Sequence, residues 1–352
     1  MEIKVNYNTK KSSPSGLSEL RHDLLTGDWV IIATTRARRP EQFIVHDRPQ
    51  TTYDAASDPF ADPEASGQEK DALIYRDGTG EWTTRVFPNK YPAFTPDPPP
   101  HDLSEGPYFA MSGFGHHEVV VTRHPERHFA LLRTEELAEV IDAYQERYRE
   151  LMTQRSIRAV NIIHNHGERA GASLVHPHSQ IFATTVLSPI VRQELAEAER
   201  YWKQNHISLF DVIVEHEMES NVRTIYFNDD FLVYCPFASE RAFEVRILPR
   251  KAQPYFERLS PSQKHSLAAA LGIALRVLHL ALDNPDYNFY FHTAPCDGAA
   301  HDHYSWHIDI LPHTSVPGGF EFSTSIEIST IKPEDAAAYL RAKVSDAQRM
   351  DA

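Results

Sequence analysis

The segment Asn165-His-Gly-Glu-Arg-Ala-Gly-Ala-Ser-Leu-Val-His-Pro-His-Ser-Gln180 joins a glycine- and serine-containing loop to two histidines in an extended stretch. The glycines at 167 and 171 let backbone N–H groups approach phosphate oxygens, and Ser173 adds a hydroxyl donor. Side chains alternate in an extended chain, so His176, His178 and Gln180 are expected on one face. A neutral histidine ring nitrogen is nucleophilic near neutral pH, and the phosphoramidate it forms stays reactive enough to pass the group on. Gln180 can donate an amide hydrogen bond without adding charge. A bare pair of alternating histidines reads as a structural or surface strand. The loop before it and the glutamine after it turn the reading toward covalent phosphoryl or nucleotidyl transfer.

The elements that must hold this segment follow from periodicity. Trp29-Val-Ile-Ile-Ala reads as a strand, followed by the basic turn Arg36-Ala-Arg-Arg-Pro40, where a phosphate could sit. The stretches Asp47 to Gln68 and Thr95 to Gly106 are rich in Pro, Asp and Ser and read as surface loops. Val119-Val-Val121 suggests a strand, Thr134 to about Thr153 a helix, Val160-Asn-Ile-Ile163 a strand, and Ile181 to Val186 another. The second half repeats this order. Phe231 to Tyr234 and Phe243 to Leu248 read as strands, Ser260 to about Leu282 as a helix, Asn288 to Phe291 and Trp306 to Leu311 as strands, and a last helix begins at Pro333. The expectation is an α+β protein of two related halves sharing one site, after a polar lead-in of about 17 residues.

Composition narrows the function classes. A chain of 352 residues with 41% hydrophobic content can bury a substantial core. A formal charge of −14 argues against broad attraction to nucleic acid or anionic membranes and leaves small molecules as partners. Cys235 and Cys296 are too few for a disulfide framework or a four-cysteine metal site and suit a reducing compartment. No apolar run is read as membrane-spanning, and the polar N-terminus lacks a secretory pattern, so a cytoplasmic location is expected. The 20 histidines gather in a few short segments, which is where chemistry is expected.

Ala170-Gly-Ala-Ser173 with His176-Pro-His-Ser-Gln180 resembles the active-site signature of the galactose-1-phosphate uridylyltransferase family, a branch of the histidine-triad superfamily. Leu25 to Ile31 with Arg36 to Pro40, Phe87 to Pro92, Ala242 to Pro249 and Gly318 to Phe322 are similar to further family segments in the same order. The likeness spans about residues 19 to 345 and is close in flavour to the branch containing plant ADP-glucose phosphorylase. It implies two histidine-triad-like pseudo-repeat halves, 19–187 and 188–352, with antiparallel sheets flanked by helices, in a homodimer. It also implies a ping-pong reaction through a nucleotidyl-histidine, with a nucleotide-sugar and a sugar phosphate as substrates and no organic cofactor. His178 takes the nucleophile position and Gln180 holds the transferred phosphoryl group. Asn165, Gly171 and Ser173 line the phosphate path, and Arg36, Arg39 and Asn89 lie around the nucleotide. Without the resemblance, Arg36 and Arg39 read as an ordinary solvated turn.

The resemblance also implies two metal positions. Where many relatives have Cys-Pro-Phe-Cys, this chain has Asp58-Pro-Phe-Ala61, which leaves Asp58, His128 and His176 as a three-ligand remnant of a zinc site. A loop packed without metal is the favoured reading there. Glu194, His292, His307 and Asp309 match a second, structural set suited to iron or zinc, and buried hydrogen-bonded polar groups would give the same pattern. Phe320, Glu321 and Glu327 match a region that contacts the hexose, with Glu327 where galactose-specific relatives tend to have glutamine.

The expected function is exchange of UMP between UDP-glucose and a hexose 1-phosphate such as galactose 1-phosphate. An ADP-sugar or dinucleotide phosphorylase, passing the nucleotide to inorganic phosphate, would use the same His178. A nucleotide-binding protein without catalysis and a metal-dependent hydrolase are the competing classes. The first predicts damage to the His178–Gln180 motif, which is intact, and the second predicts activity that a chelator abolishes.

Overall fold

The computed structural model describes residues 17–33, 40–43, 53–54 and 57–351. The lead-in before residue 17, the basic turn with Arg36 and Arg39, and residues 47–52 and 55–56 of the loop 47–68 lie outside the described residues. The elements in chain order are β1 (Glu19–His22), β2 (Trp29–Ile32), β3 (Leu73–Arg76), β4 (Trp82–Pro88), β5 (Gly115–Thr122), α1 (Thr134–Leu151), β6 (Ala159–His166) and β7 (His178–Thr184). They continue with α2 (Pro189–Asn205), α3 (Leu209–Ser220), β8 (Thr224–Phe227), β9 (Phe231–Tyr234), β10 (Val245–Pro249), α4 (Pro261–Leu282), β11 (Tyr287–His292) and β12 (His307–Pro312). The C-terminal elements are α5 (Gly319–Thr324), β13 (Ile328–Ser329), α6 (Pro333–Arg341) and α7 (Val344–Arg349).

The protein is α+β. Ten strands form one sheet in the order β3-β4-β5-β7-β6-β11-β12-β10-β9-β8, with every neighbouring pair antiparallel. The order reads alike from both ends, three consecutive strands followed by an inverted pair, and β6 meets β11 at the centre. A smaller sheet, β1-β2-β13, ties the N-terminal segment to the C-terminal one through a parallel β2–β13 pair.

Alternation along the strands decides which face carries chemistry. Ile162, Ile181 and Ala183 join Leu137, Ile141 and Tyr144 of α1 and Leu271, Leu275 and Leu278 of α4 in the main core. Each buried Leu or Ile among them contributes about 1.5–3 kcal/mol of burial free energy. Ser179, fully buried, is anchored to that side by Tyr144 (hydroxyl oxygens 2.5 Å apart) and by His164 (Nδ1 to Oγ 3.2 Å). The period of two therefore turns His178, Gln180 and Phe182 of β7, and Ile163 and Asn165 of β6, to the opposite face. α2 and α3 pack over the second half of that face, where Ala198, Leu209 and Phe210 meet Leu232, Tyr234 and Leu248.

The expectation that no segment is membrane-spanning in length needs correction. α4 has 22 residues and a mean hydropathy of 1.6 over its apolar window, enough by length and composition to cross a membrane. In the fold 72% of that window is buried, because the helix lies in the core against α1 and β8–β10. The long helix begins in a reciprocal cap, with Gln263 N–H donating to Ser260 Oγ (3.2 Å) and Ser260 N–H to Gln263 Oε1 (3.0 Å).

Candidate active site

His178 opens β7, three residues before the strand that the sequence pattern begins at Ile181, and is only 8% exposed. Its Nδ1–H donates to the carbonyl oxygen of His176 at 2.9 Å. That bond fixes the tautomer and leaves the Nε2 lone pair as the reactive position. Burial pushes the imidazole below its ordinary 6.5, against the opposing pull of the His176 carbonyl, so the ring is neutral at physiological pH. The Phe60 ring meets it edge-on at 5.3 Å and keeps that side dry.

Gln180 and Asn165 lie on the same face as this histidine, and Asn89 reaches the His117 ring beside Gln180. Val121 faces His178 across the β5–β7 ladder, Val119 faces Gln180, and His117 faces Phe182, with the last two rings stacked at 4.1 Å. Asn165 lies one register step beyond the last β6–β7 pair, which places it opposite His178. Its Oδ1 accepts a hydrogen bond from Asn288 Nδ2 at 2.7 Å, and Asn288 is its register partner on β11. Gln180 Oε1 is 2.7 Å from His117 Nε2, and Asn89 Nδ2 is 3.2 Å from the same nitrogen.

The glycine loop is held by the second half of the chain. Gly167 has φ +86°, and a Cβ there would lie 2.3 Å from the Asp286 carboxylate, so only glycine fits. Asp286 Oδ2 accepts the Arg169 N–H at 2.9 Å, and Asn288 Nδ2 donates to Ala170 O at 2.8 Å. Two backbone N–H groups of this loop, including that of Gly171, are not free for a phosphate. Gly171 N–H donates to Glu168 O at 2.9 Å, and Ala172 N–H to Gly167 O at 3.1 Å, so both close the turn itself. Ser173 is exposed in the same loop.

The three-ligand remnant is not assembled. Asp58 and His176 pair directly, Oδ2 to Nδ1 at 2.7 Å, and His176 Nε2 donates to Thr122 O at 2.6 Å. His128 packs elsewhere, its ring 4.8 Å from His166 and 5.1 Å from His279. Loss of the two thiolates leaves a carboxylate free to take the His176 proton donor, and that pairing replaces ligation. His176 thus packs beside the start of β7, and its carbonyl orients His178.

The second set does come together. Glu194 of α2, His292 of β11 and His307 of β12 offer ligand atoms all within 4.8 Å of one another. Glu194 Oε1 lies 2.7 Å from His292 Nδ1 and 3.4 Å from His307 Nε2. Tyr304 donates to Glu194 Oε2 at 2.7 Å, and His307 Nδ1–H to Ser305 O at 3.3 Å. Burial alone would raise the Glu194 carboxyl, but His292 and His307 hold it well below the usual range. Asp309 is not one of the group. Arg246 takes both its oxygens, and Asp309 Oδ2 is 3.6 Å from His307 Nε2.

The hexose candidates lie on α5 and the segment before β13. Phe320 is 45% exposed, Glu321 Oε2 accepts the Gly318 N–H at 2.9 Å, and Glu327 pairs with Arg241 at 2.8 Å. Among the described residues none of the three is bonded to His178 or Gln180. Sequence reasoning missed His117, Asn288, His313 and Arg246. His117 and Asn288 were visible as polar residues at the rims of predicted strands, but a single sequence does not show what they face.

Comparison with known proteins places this geometry. Residues 8–188 match the family described as galactose-1-phosphate uridyl transferase, N-terminal domain. ADP-glucose phosphorylase of Arabidopsis thaliana is 28% identical over 333 residues, covering 92% of each chain. Galactose-1-phosphate uridylyltransferase of Thermotoga maritima is 25% identical over 336 residues, 92% of this chain and 98% of the relative. A crystal structure of the Arabidopsis thaliana ADP-glucose phosphorylase with bound ADP-glucose superposes with a TM-score of 0.78 at 27% identity, over 92% of this chain and 99% of that one.

Proposed function

The chain belongs to the galactose-1-phosphate uridyl transferase family, and on that premise we propose that His178 carries a nucleoside monophosphate from a nucleotide-sugar to a phosphorylated acceptor. The protein is a nucleotidyltransferase. The observation that carries the proposal is the His178 Nδ1–H bond to His176 O, which leaves a buried, neutral Nε2 as the only reactive ring position. Nε2 attacks the α-phosphorus, the bond to the bridging oxygen breaks, and the sugar 1-phosphate leaves. An acceptor phosphate oxygen then attacks the same phosphorus, the N–P bond breaks, and the histidine is regenerated. Gln180, Asn165, Asn89 and Ser173 serve the phosphoryl group as neutral donors, with the loop at Gly171 shaping the path and Arg36 and Arg39 near the nucleotide. Phe320, Glu321 and Glu327 contact the sugar.

The substrates are UDP-glucose and a hexose 1-phosphate, with UMP as the group transferred. The second reading, adenylyl transfer from an ADP-sugar to inorganic phosphate, is favoured by the likeness to the Arabidopsis enzyme over 92% of both chains. Residues 19–187 and 188–352 act as two halves of one catalytic unit, a division supported by the mirrored strand order. The active form is a cytoplasmic homodimer. Glu194, His292 and His307 fit iron or zinc by donor type and spacing, and the ion would cross-link α2 to β11 and β12 as a structural Lewis acid.

Intact-protein mass spectrometry after brief incubation with UDP-glucose, ADP-glucose, GDP-mannose or a dinucleoside tetraphosphate, without acceptor, tests both readings. A single UMP adduct, absent from His178→Gly, supports the first, and an AMP adduct supports the second. No adduct from any donor would remove the covalent mechanism.

A further inference from the structure

We propose that His117 and Asn288 are positioning residues that lock the amides of Gln180 and Asn165 so that each shows only N–H donors to the phosphoryl group moving on and off His178. This deepens the nucleotidyl-histidine reading and rests on it. A carboxamide is nearly symmetric in shape, and half a turn about its last bond exchanges donor for acceptor. A phosphoryl oxygen accepts only, so an amide that turned its oxygen inward would repel the group it is meant to hold. An amide whose oxygen is already occupied cannot turn without losing that bond.

The bonds needed are all present. Ala93 N–H donates to His117 Nδ1 at 3.1 Å, which requires the proton of the neutral ring to sit on Nε2. Nε2–H then donates to Gln180 Oε1 at 2.7 Å, so the Gln180 NH2 points away from His117. Stacking on Phe182 at 4.1 Å holds the ring in that plane, and burial pushes its pKa below 6.5, which keeps the tautomer. Across the site, Asn288 Nδ2 uses both hydrogens, one on Asn165 Oδ1 at 2.7 Å and one on Ala170 O at 2.8 Å. Asn288 Oδ1 accepts from His313 Nε2 at 2.6 Å. Asn288 would lose all three bonds on turning, and it leaves Asn165 with only its NH2 to offer. Asn89 stands apart from this pair: its Oδ1 accepts the Tyr91 N–H at 2.8 Å, but its Nδ2 lies 3.2 Å from His117 Nε2, which in this tautomer is itself a donor. The donor set is thus selective for an acceptor-only group without adding positive charge beside the nucleophile.

The test uses the full chain, with the rate of His178 adduct formation from the donor that labels the wild type, steady-state kcat and KM, and thermal melting. His117→Phe keeps a ring for Phe182 to stack on but has no donor. His117→Gln restores one. Asn288→Asp is isosteric but presents only acceptors to Asn165 and Ala170. His117→Phe and Asn288→Asp are expected to slow adduct formation by roughly 10- to 1,000-fold, the range for losing a preorganised donor. KM should change by less than about threefold, and His117→Gln should recover about tenfold over His117→Phe. Wild-type rates in both variants, or a loss confined to KM, would overturn the inference while leaving the transferase reading intact. A folded His117→Gln no faster than His117→Phe would also overturn it. If Asn288→Asp does not fold, the two His117 variants decide. Absence of an adduct in the wild type would instead remove the transferase reading, and this inference with it.

Discussion

Arg246 grips Asp309 with two prongs, Nε to Oδ1 at 2.5 Å and Nη2 to Oδ2 at 3.1 Å, and so keeps this carboxylate out of the Glu194–His292–His307 set. Arg246 is also the cation facing Asp23 (3.9 Å) and the buried Glu244 (3.8 Å). Burial first, then Glu240, pushes the Glu244 carboxyl well above its usual value. Replacing Arg246 by Met leaves Asp309 buried without its partner, and the expected loss is about 3–5 kcal/mol in urea unfolding. A loss below about 1 kcal/mol would mean that the cluster stays neutral by other means.

Elemental analysis of purified variants separates ligand from neighbour. Glu194→Gln and His307→Ala should lose bound iron or zinc and melt at lower temperature. Asp309→Asn should keep the metal. If Asp309→Asn loses as much metal as His307→Ala, Asp309 is a ligand in the loaded protein.

The rate of His178 labelling should resist acid. Burial lowers the His178 pKa below 6.5, so the neutral nucleophile persists as the pH falls through the ordinary histidine range. Adduct formation should therefore reach half its maximal rate below about pH 6.5. A half-maximal point at or above about pH 6.5 would contradict a desolvated nucleophile.

Stability should move the other way with acid because of His128. Burial, then its neighbours His166 and His279, lowers its pKa to about 3, whereas the unfolded side chain titrates near 6.5. Between those values the unfolded chain binds the proton and the folded one does not, so stability falls as pH drops from about 6.5 toward 3. His128→Leu should flatten the fall in urea midpoint between about pH 7 and about pH 5. An unchanged slope would shift the effect to other buried groups such as His164.

Glu327→Gln tests the sugar end. The variant gives up the ion pair with Arg241. The expected result is a roughly 3- to 30-fold gain in kcat/KM for galactose 1-phosphate relative to glucose 1-phosphate. An unchanged ratio between the two sugars would remove Glu327 from the sugar site.

Much of the architecture was legible because periodicity is a local property. The helices at Thr134–Leu151 and Pro261–Leu282 and the strands at Val119, Val160, Phe231, Asn288 and Trp306 all stand where their apolar spacing places them. The strands β1, β3, β4, β8 and β13 were not read, although β2 and β9 are no longer than most of them. α2 and α3 were missed as well, although α2 has an amphipathic pattern.

The motif at Asn165–Gln180 was legible for a different reason. A candidate nucleophile, glycines at the positive-φ positions 167 and 171, and alternating side chains are all written within one short stretch. The chain by itself thus pointed to His178 as the candidate nucleophile, to the loop that precedes it and to the face of the strand that carries it. Only the tertiary structure decided the pairings between distant residues. Asp58 reaches His176 across 118 positions, Asn288 reaches Asn165 across 123, and Arg246 takes Asp309 across 63. Each of those polar groups could have been a metal ligand, a substrate donor or an ion-pair partner. Hydrogen bonds act over about 3 Å, so that choice is made by packing, after the strands have been brought side by side.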